Sequence, residues 1–209
     1  MFSYEQLKEQ SYSALPWAHW GVHATEADLK KAAADLVAET DPRRIRRLLS
    51  IFRGRRFPLD FRPLIEMANS SDHQISFRAF TALGQIAHPE VRGFALSLLQ
   101  LSIPRGCPVR LLINNYQDGD HALVETFVQK LQDKDEIHWV DPDIRDFYEA
   151  HPNLEREVRI RRRLYEIGPC ILCREGHVER LLELNALPDW MLEECQYDAN
   201  LDIRAKVKN

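Results

Sequence analysis

Three cysteines and a histidine near the carboxyl terminus are residue types that could hold a metal ion. Cys170, Cys173 and His177 follow one another at helical spacing, so a single helix would present all three side chains, and Cys195 would come from the next helix. Zinc favours four thiolate or imidazole ligands in a tetrahedron, and two antiparallel helices can supply three ligands and one. These four residues are therefore candidate zinc ligands.

Two other interpretations of the same cysteines stay open. Buried cysteines pack like small apolar side chains, and Leu181 and Leu184 continue the stripe along the same predicted helix. A Cys-x-x-Cys pair can also be redox-active. Core packing is the leading expectation, so we expect no bound cofactor, with zinc as the alternative.

Arginines are concentrated in two stretches that could contact phosphate groups. The candidate binding residues are Arg43, Arg44, Arg47, Arg55 and Arg56 in the first stretch and Arg161, Arg162 and Arg163 in the second. A surface lined by them would bind nucleic acid through counterion release. Glutamates interrupt the second stretch, however, and charge runs on helices commonly pair at a spacing of four on a solvated face.

The segment from Pro16 to His23 concentrates aromatic side chains. It contains Trp17 and Trp20, and its histidines His19 and His23 are four residues apart. The rings could form a binding surface, and the histidines could supply half of a metal site. The leading expectation is structural: the segment covers the end of the first helical unit that follows.

Familiar catalytic signatures are missing from the chain. It has no P-loop, GxGxxG, GxSxG or HExxH motif. Asp141, Asp143 and Asp146 could bind a hard cation together with His138 and His151. Because Asp141 precedes a proline, we expect it to cap a helix instead. The sequence favours a protein without catalytic residues.

Prolines, Asx residues and apolar periodicity predict helices throughout the chain. Thr25 and Asp41 are predicted helix caps, each followed by apolar residues at spacings of three and four. Further helices are predicted over residues 63–68, 72–87, 89–101, 108–116, 121–131, 154–167, 170–184 and 188–197, and residues 198–208 are predicted to form a terminal cap. No segment alternates with the period of two that is typical of strands. The expected fold class is all-α.

An apolar residue followed by arginine recurs along the chain. The arginines are Arg46, Arg78, Arg110 and Arg145, at intervals of 32, 32 and 35 residues. A period in the thirties is typical of stacked helical repeats. The stretch 71–100, with Phe77 and Arg78 ahead of a second apolar helix, resembles a HEAT repeat and the lyase-associated HEAT-like repeats. The resemblance implies an α-solenoid of about five degenerate helix pairs.

The resemblance also implies roles for the chain and its arginines. Arg78, Arg110 and Arg145 would pair with acidic residues of neighbouring repeats. Repeats of this kind commonly bind other macromolecules, so we expect a protein-protein interaction or scaffold module with an unknown protein partner. Some DNA alkylpurine glycosylases use HEAT-like repeats, which keeps nucleic-acid binding, and base excision with it, as the alternative.

Composition bounds the remaining possibilities. A chain of 209 residues with 44% hydrophobic content can bury a continuous core. We expect one domain with an N-terminal cap over 1–24, repeats over 25–150, and C-terminal helices with a cap over 151–209. A net charge of -4 argues against uniform attraction to phosphate. Four cysteines do not resemble a secreted disulfide framework, and no stretch approaches the roughly 20 apolar residues of a membrane helix. We expect a cytoplasmic protein that does not enter membranes.

Overall fold

A computed structural model describes residues 3–9, 15–101 and 107–208 of the chain. Over these residues the chain forms fourteen α-helices and no strand, which confirms the all-α prediction. None of the described helices combines the length and the apolar character that a membrane crossing requires. The helices fall into two compact units, Met1–Tyr116 and Gln117–Asn209. The single domain predicted over residues 1–209 stays a prediction.

The first unit contains eight of the described helices. They are α1 (Tyr4–Glu9), α2 (Leu15–His23), α3 (Glu26–Ala38), α4 (Pro42–Ile51), α5 (Arg62–Ala68), α6 (His73–Leu83), α7 (Pro89–Gln100) and α8 (Pro108–Ile113). The predicted caps are confirmed at two of their starts. Thr25 Oγ1 accepts a hydrogen bond from the Asp28 amide at 3.2 Å, and Asp41 Oδ1 accepts one from the Arg43 amide at 2.9 Å.

Helix contacts in the first unit follow a recurring order. Helix α2 contacts α4, α4 contacts α6, and α6 contacts α8. Helices α3, α5 and α7 each pack on the helix that follows them, α4, α6 and α8. The same pairing therefore occurs three times at the interval of the recurring arginines, because Arg46, Arg78 and Arg110 lie on α4, α6 and α8.

These arginines join neighbouring helix pairs. Arg46 on α4 forms an ion pair with Asp72, the residue that caps α6. Arg78 Nε on α6 donates to Ser50 Oγ on α4 at 3.1 Å. Arg110 Nη1 on α8 donates to a side chain of α6, the Thr81 hydroxyl, at 2.7 Å. Each link spans two successive even-numbered helices.

Among the residues that the structure describes, two of the arginines lack the acidic partner in a neighbouring repeat that the resemblance implied. The described hydrogen bonds of Arg78 go to Ser50 and to Gln74 of its own helix. Arg145 Nε lies 3.6 Å from Asp141 Oδ2, an acidic residue of its own helix rather than of a neighbouring repeat. A hydroxyl satisfies a guanidinium without burying a second charge, which suits the half-buried position of Arg78.

The second unit contains α9 (Asp120–Lys130), α10 (Lys134–Ala150), α11 (Leu154–Ile167), α12 (Ile171–Glu183), α13 (Asp189–Cys195) and α14 (Leu201–Lys206). Helix α11 packs against α9, α10 and α12, and α12 also contacts α14. One apolar cluster includes Tyr165, Leu181, Met191 and Cys195, and it joins α11, α12 and α13. Helix α11 is therefore at the centre of this unit.

The expectation that Asp141 caps a helix is wrong. Helix α10 continues through Asp141 and Pro142, and its cap is Asp133, whose carboxylate accepts hydrogen bonds from two amides of the first turn. Val140 and Ile144 are buried on one face of this helix at a spacing of four. Burial of that apolar face outweighs the local Asp-Pro signal.

A buried ionic cluster connects α11 to α12. Glu157 is only 2% exposed. It forms ion pairs with the buried Arg161 of its own helix and with Arg180 of α12. Arg161 Nη2 and Arg180 Nε lie 3.0 and 2.9 Å from the same Glu157 oxygen. The carboxylate thus neutralises a buried cation and links two helices.

Replacing Glu157 with Gln is expected to lower the free energy of unfolding by about 3–5 kcal/mol, because the charge of Arg161 stays buried without its counterion. Glu155 of the same helix is the matched control, since its pair with Arg159 is exposed. Glu155→Gln should change stability by less than about 0.5 kcal/mol. Urea unfolding of the two variants measures the difference, and equal losses would contradict the structural role of Glu157.

The first unit gives a second matched pair of variants. A β-carbon at Gly21 of α2 would lie 2.2 Å from the Ile51 carbonyl oxygen at the end of α4. Gly21→Ala should therefore separate the two helices and cost about 1–3 kcal/mol. Gly93 on α7 has no atom within 4 Å of its added β-carbon, so Gly93→Ala should stabilise the protein by about 0.5–1 kcal/mol. Thermal unfolding in which both variants shift in the same direction would contradict this packing.

Candidate functional site

His138, Cys170 and Cys173 bring three metal-binding atoms together in the second unit. One donor atom from each residue lies within 4.8 Å of the other two. Cys173 Sγ and His138 Nδ1 are 3.5 Å apart. His138 is exposed, Cys170 is half-buried and Cys173 is buried, so the cluster reaches from solvent into the core.

Two helices position these three side chains. His138 lies in the first half of α10, and Cys170 is the residue immediately before α12. The backbone of Cys170 is extended, with φ -82° and ψ 121°, while Cys173 is already in the first helical turn. The Cys-x-x-Cys pair therefore spans a helix start, where the chain turns, instead of lying inside the helix.

The two thiols have opposite electrostatic surroundings. The backbone amide of Cys173 stabilises the thiolate of Cys170 and lowers its pKa below the usual value. Burial raises the pKa of Cys173, and the nearby Asp141 carboxylate raises it further. Cys170 is therefore the more easily ionised of the pair.

Asp141 is a buried carboxylate directly behind Cys173. It is 1% exposed, and neither of its oxygens accepts a hydrogen bond of good geometry from the residues that the structure describes. His177 Nε2 lies 3.0 Å from Oδ1, and Arg145 Nε lies 3.6 Å from Oδ2. Burial raises the pKa of Asp141, but its contacts with His177, Cys173 and Arg145 together lower it by more, so the net shift is downward.

The structure groups a different set from the one predicted as zinc ligands. Cys170 and Cys173 are together as predicted, but His177 and Cys195 are not in the group. His177 instead faces Asp141. Cys195 is buried in the apolar cluster, where its Sγ lies 3.5 Å from the hydroxyl of Tyr165.

His138 is the member of the group that the zinc prediction missed. It entered the sequence analysis only as a partner of acidic residues. A signal was present, because His138 and Cys173 are 35 residues apart, the same interval that separates Arg110 from Arg145. Residues one repeat apart lie on neighbouring helix pairs and can come into contact.

The arginines of the second stretch make their contacts within the second unit. Their partners are Glu125 for Arg156 and Arg159, Glu157 for Arg161, the Ala186 carbonyl for Arg162, and Glu166 for Arg163. Arg161 is buried, and Arg162 is half-buried. Side chains used in this way are poorly placed to contact phosphate.

In the first arginine stretch, some side chains form ion pairs and others do not. The partners there are Glu39 for Arg44, Asp72 for Arg46 and Glu26 for Arg55. Within the described residues, no ion pair involves Arg43, Arg47, Arg53 or Arg56. Arg43 and Arg47 are four residues apart on α4 and therefore share one side of that helix.

The aromatic segment of α2 does not present its tryptophans to solvent. Trp17 and Trp20 are both buried, and the ring of Trp20 packs 5.4 Å from that of Tyr4. Their rings therefore belong to the interior of the first unit. His19 and His23 are exposed with ring centres 5.0 Å apart, and no third ligand joins them among the described residues.

Large apolar side chains are exposed where α12 and α14 begin. Leu172, Tyr197 and Leu201 are 75%, 85% and 67% exposed. Asn200 Nδ2 donates to Glu175 Oε2 at 3.0 Å, which holds the start of α14 against the first turns of α12. Leu172, Tyr197 and Leu201 are called the apolar end below.

Comparison with known proteins leaves the function to these observations. No protein-family model, curated protein or solved structure matches the chain. The HEAT-like resemblance therefore stays a prediction from the residues.

Proposed function

We propose that the chain is a HEAT-like helical-repeat module, arranged as an α-solenoid, that binds another protein. The recurring helix pairs of the first unit and the arginine links between them support the repeat interpretation. Stacked pairs of this kind expose an extended surface without needing catalytic groups. Four cysteines in 209 residues do not resemble a secreted disulfide framework, which supports a location in the cytoplasm.

The exposure of the apolar end carries the proposal. Protein interfaces are centred on buried apolar and aromatic side chains, and Tyr is among the residues that contribute most to binding. Tyr197 and Leu201 are four residues apart and both largely exposed, and Leu172 is on the neighbouring helix. A protein partner that covers these three side chains would remove their apolar surface from water.

The charge distribution of the second unit also favours a protein over nucleic acid. A phosphate-binding surface needs cations that are free to replace counterions. Arg161, Arg162 and Arg163 already contact acceptors of the second unit. Nucleic acid would have to break those contacts before it could use these arginines.

Nucleic-acid binding is the second candidate function, because of α4 in the first unit. Arg43 and Arg47 form no ion pair with any residue that the structure describes, and they lie on the same side of the helix. They could contact successive phosphates, although the nearby Trp17 and Trp20 are buried and cannot stack on bases. Base excision would need an extruded base to be held, so this observation supports phosphate binding alone.

The protein-binding proposal is tested with the double variant Leu172→Ser/Leu201→Ser. Affinity capture with chemical cross-linking, from the organism that encodes the chain, should recover a partner with the unmodified protein. The variant should recover at least about 10-fold less, because each buried leucine contributes about 1.5–3 kcal/mol. Leu123→Ser/Leu154→Ser is the control, since those exposed leucines lie on α9 and α11. Equal recovery by both variants would contradict the assignment of this surface.

The second candidate is tested by titrating labelled random DNA, duplex and single-stranded, across a salt series. We expect no dissociation constant tighter than about 10 µM at low salt. Arg43→Glu/Arg47→Glu is the informative variant and Arg163→Glu its control, because Arg163 pairs with Glu166. Tight binding that weakens steeply with salt, and that only the α4 variant loses, would favour nucleic acid over protein as the partner.

A further inference from the structure

We propose that His138, Cys170 and Cys173 form a binding site for Zn²⁺ in the second unit. Zinc prefers thiolate and imidazole ligands, whereas calcium and magnesium prefer oxygen ligands. Two thiols and an imidazole therefore indicate zinc. They come from two helices, and their donor atoms converge within 4.8 Å. Three protein ligands leave one tetrahedral position for a water molecule or for a donor from a partner.

The separation of one pair of donor atoms, Cys173 Sγ and His138 Nδ1, fits tetrahedral coordination. Zinc binds sulfur at about 2.3 Å and imidazole nitrogen at about 2.0–2.1 Å, so a tetrahedral angle places the two ligand atoms about 3.5 Å apart. Cys173 Sγ and His138 Nδ1 are 3.5 Å apart. The two residues therefore hold the spacing of a zinc-binding pair without any movement of the helices.

Charge gives an independent argument for a cation. Asp141 is a buried carboxylate without a hydrogen bond of good geometry, and it lies behind the thiol of Cys173. A thiolate at Cys173 would add a second negative charge beside Asp141. A dication bound by the two cysteines would compensate the thiolate charge, while His177 and Arg145 already face Asp141.

The position of His138 distinguishes a metal site from a redox pair. A disulfide between Cys170 and Cys173 would need no histidine, yet the imidazole nitrogen of His138 is directed at Cys173 Sγ. His138 is also exposed, which gives an ion a path from solvent. The three residues together are better suited to hold an ion than to exchange electrons.

Zinc at this position would add a link between α10 and α12, which already contact each other where His177 faces Asp141. His138 belongs to α10 and the cysteines to the start of α12, and both helices pack on α11. A bound ion joins α10 and α12 directly. Since the ion binds the folded protein more tightly than the unfolded chain, it should raise the unfolding temperature.

The test titrates Zn²⁺ into the full-length protein, stripped with a chelator and kept reduced with a phosphine. A chromophoric zinc chelator serves as competitor. We expect one Zn²⁺ per chain and protection of Cys170 and Cys173 from alkylation, read residue by residue by mass spectrometry. Substitution by Co²⁺ should give a thiolate charge-transfer band and the intense ligand-field bands of tetrahedral coordination.

Single variants identify the ligands. Loss of an outer partner of a metal ligand already costs about 10- to 100-fold in affinity, so His138→Ala and Cys173→Ser should weaken Zn²⁺ binding by at least about 100-fold. His138→Cys should restore binding, because thiolate is an equivalent ligand. Cys195→Ala and His23→Ala are the controls and should retain the affinity of the unmodified protein. His138 is exposed, so circular dichroism should show an intact fold in its variants.

Three results would overturn the proposal. One is the absence of Zn²⁺ binding at micromolar concentrations by the reduced protein. Another is binding that survives His138→Ala but is lost in Cys195→Ala, which would restore the set predicted from sequence. The third is a Cys170–Cys173 disulfide that forms readily in air in a protein that takes up no Zn²⁺ when reduced.

Discussion

A short helix pair cannot bury its apolar side alone, and this constraint governs the first unit. Helices α2, α4 and α6 each contact the next even-numbered helix, and close approach is possible where a side chain is missing, as at Gly21. Such packing brings arginines on successive helices near one another. Their charges must find acceptors within reach, and Asp72, Ser50 and Thr81 provide them. Apolar packing thus brings the helices together, and the polar links then fix how each helix is aligned along its neighbour.

Much of the fold could be predicted because helix signals are local. Caps such as Thr25 and Asp41, prolines in first turns and apolar spacing gave most helix bounds to within a few residues. The failure at Asp141 has a physical cause. An aspartate before proline starts a helix when the preceding backbone is free to be extended, but burial of Val140 and Ile144 commits that backbone to helix. Tertiary packing therefore determined the backbone conformation at Asp141, and the Asp-Pro dipeptide alone could not predict it.

The candidate site was predictable only in part. Spacing along one helix correctly associated Cys170 with Cys173, because residues three apart are neighbours wherever a helix begins. It also suggested His177 and Cys195 as ligands. The side chain of His177 instead contacts Asp141, and Cys195 is buried in the apolar cluster. His138 comes from another helix, so only the repeat interval could have indicated it. Contacts between neighbouring helix pairs depend on how the pairs stack. The only signal for this stacking in the sequence is the interval of the recurring arginines.

The length of helix α11 sets the position of His138 relative to Cys170 and Cys173. His138 precedes it and the cysteines follow it, so the number of residues in α11 fixes where the start of α12 faces. Adding or deleting one residue inside α11 would rotate everything beyond it by about 100° and displace it by about 1.5 Å along the axis. Point substitutions on the exposed side of α11 would leave the alignment intact. Chains that carry the same three ligands should therefore tolerate changes of residue type in this helix far better than changes of its length.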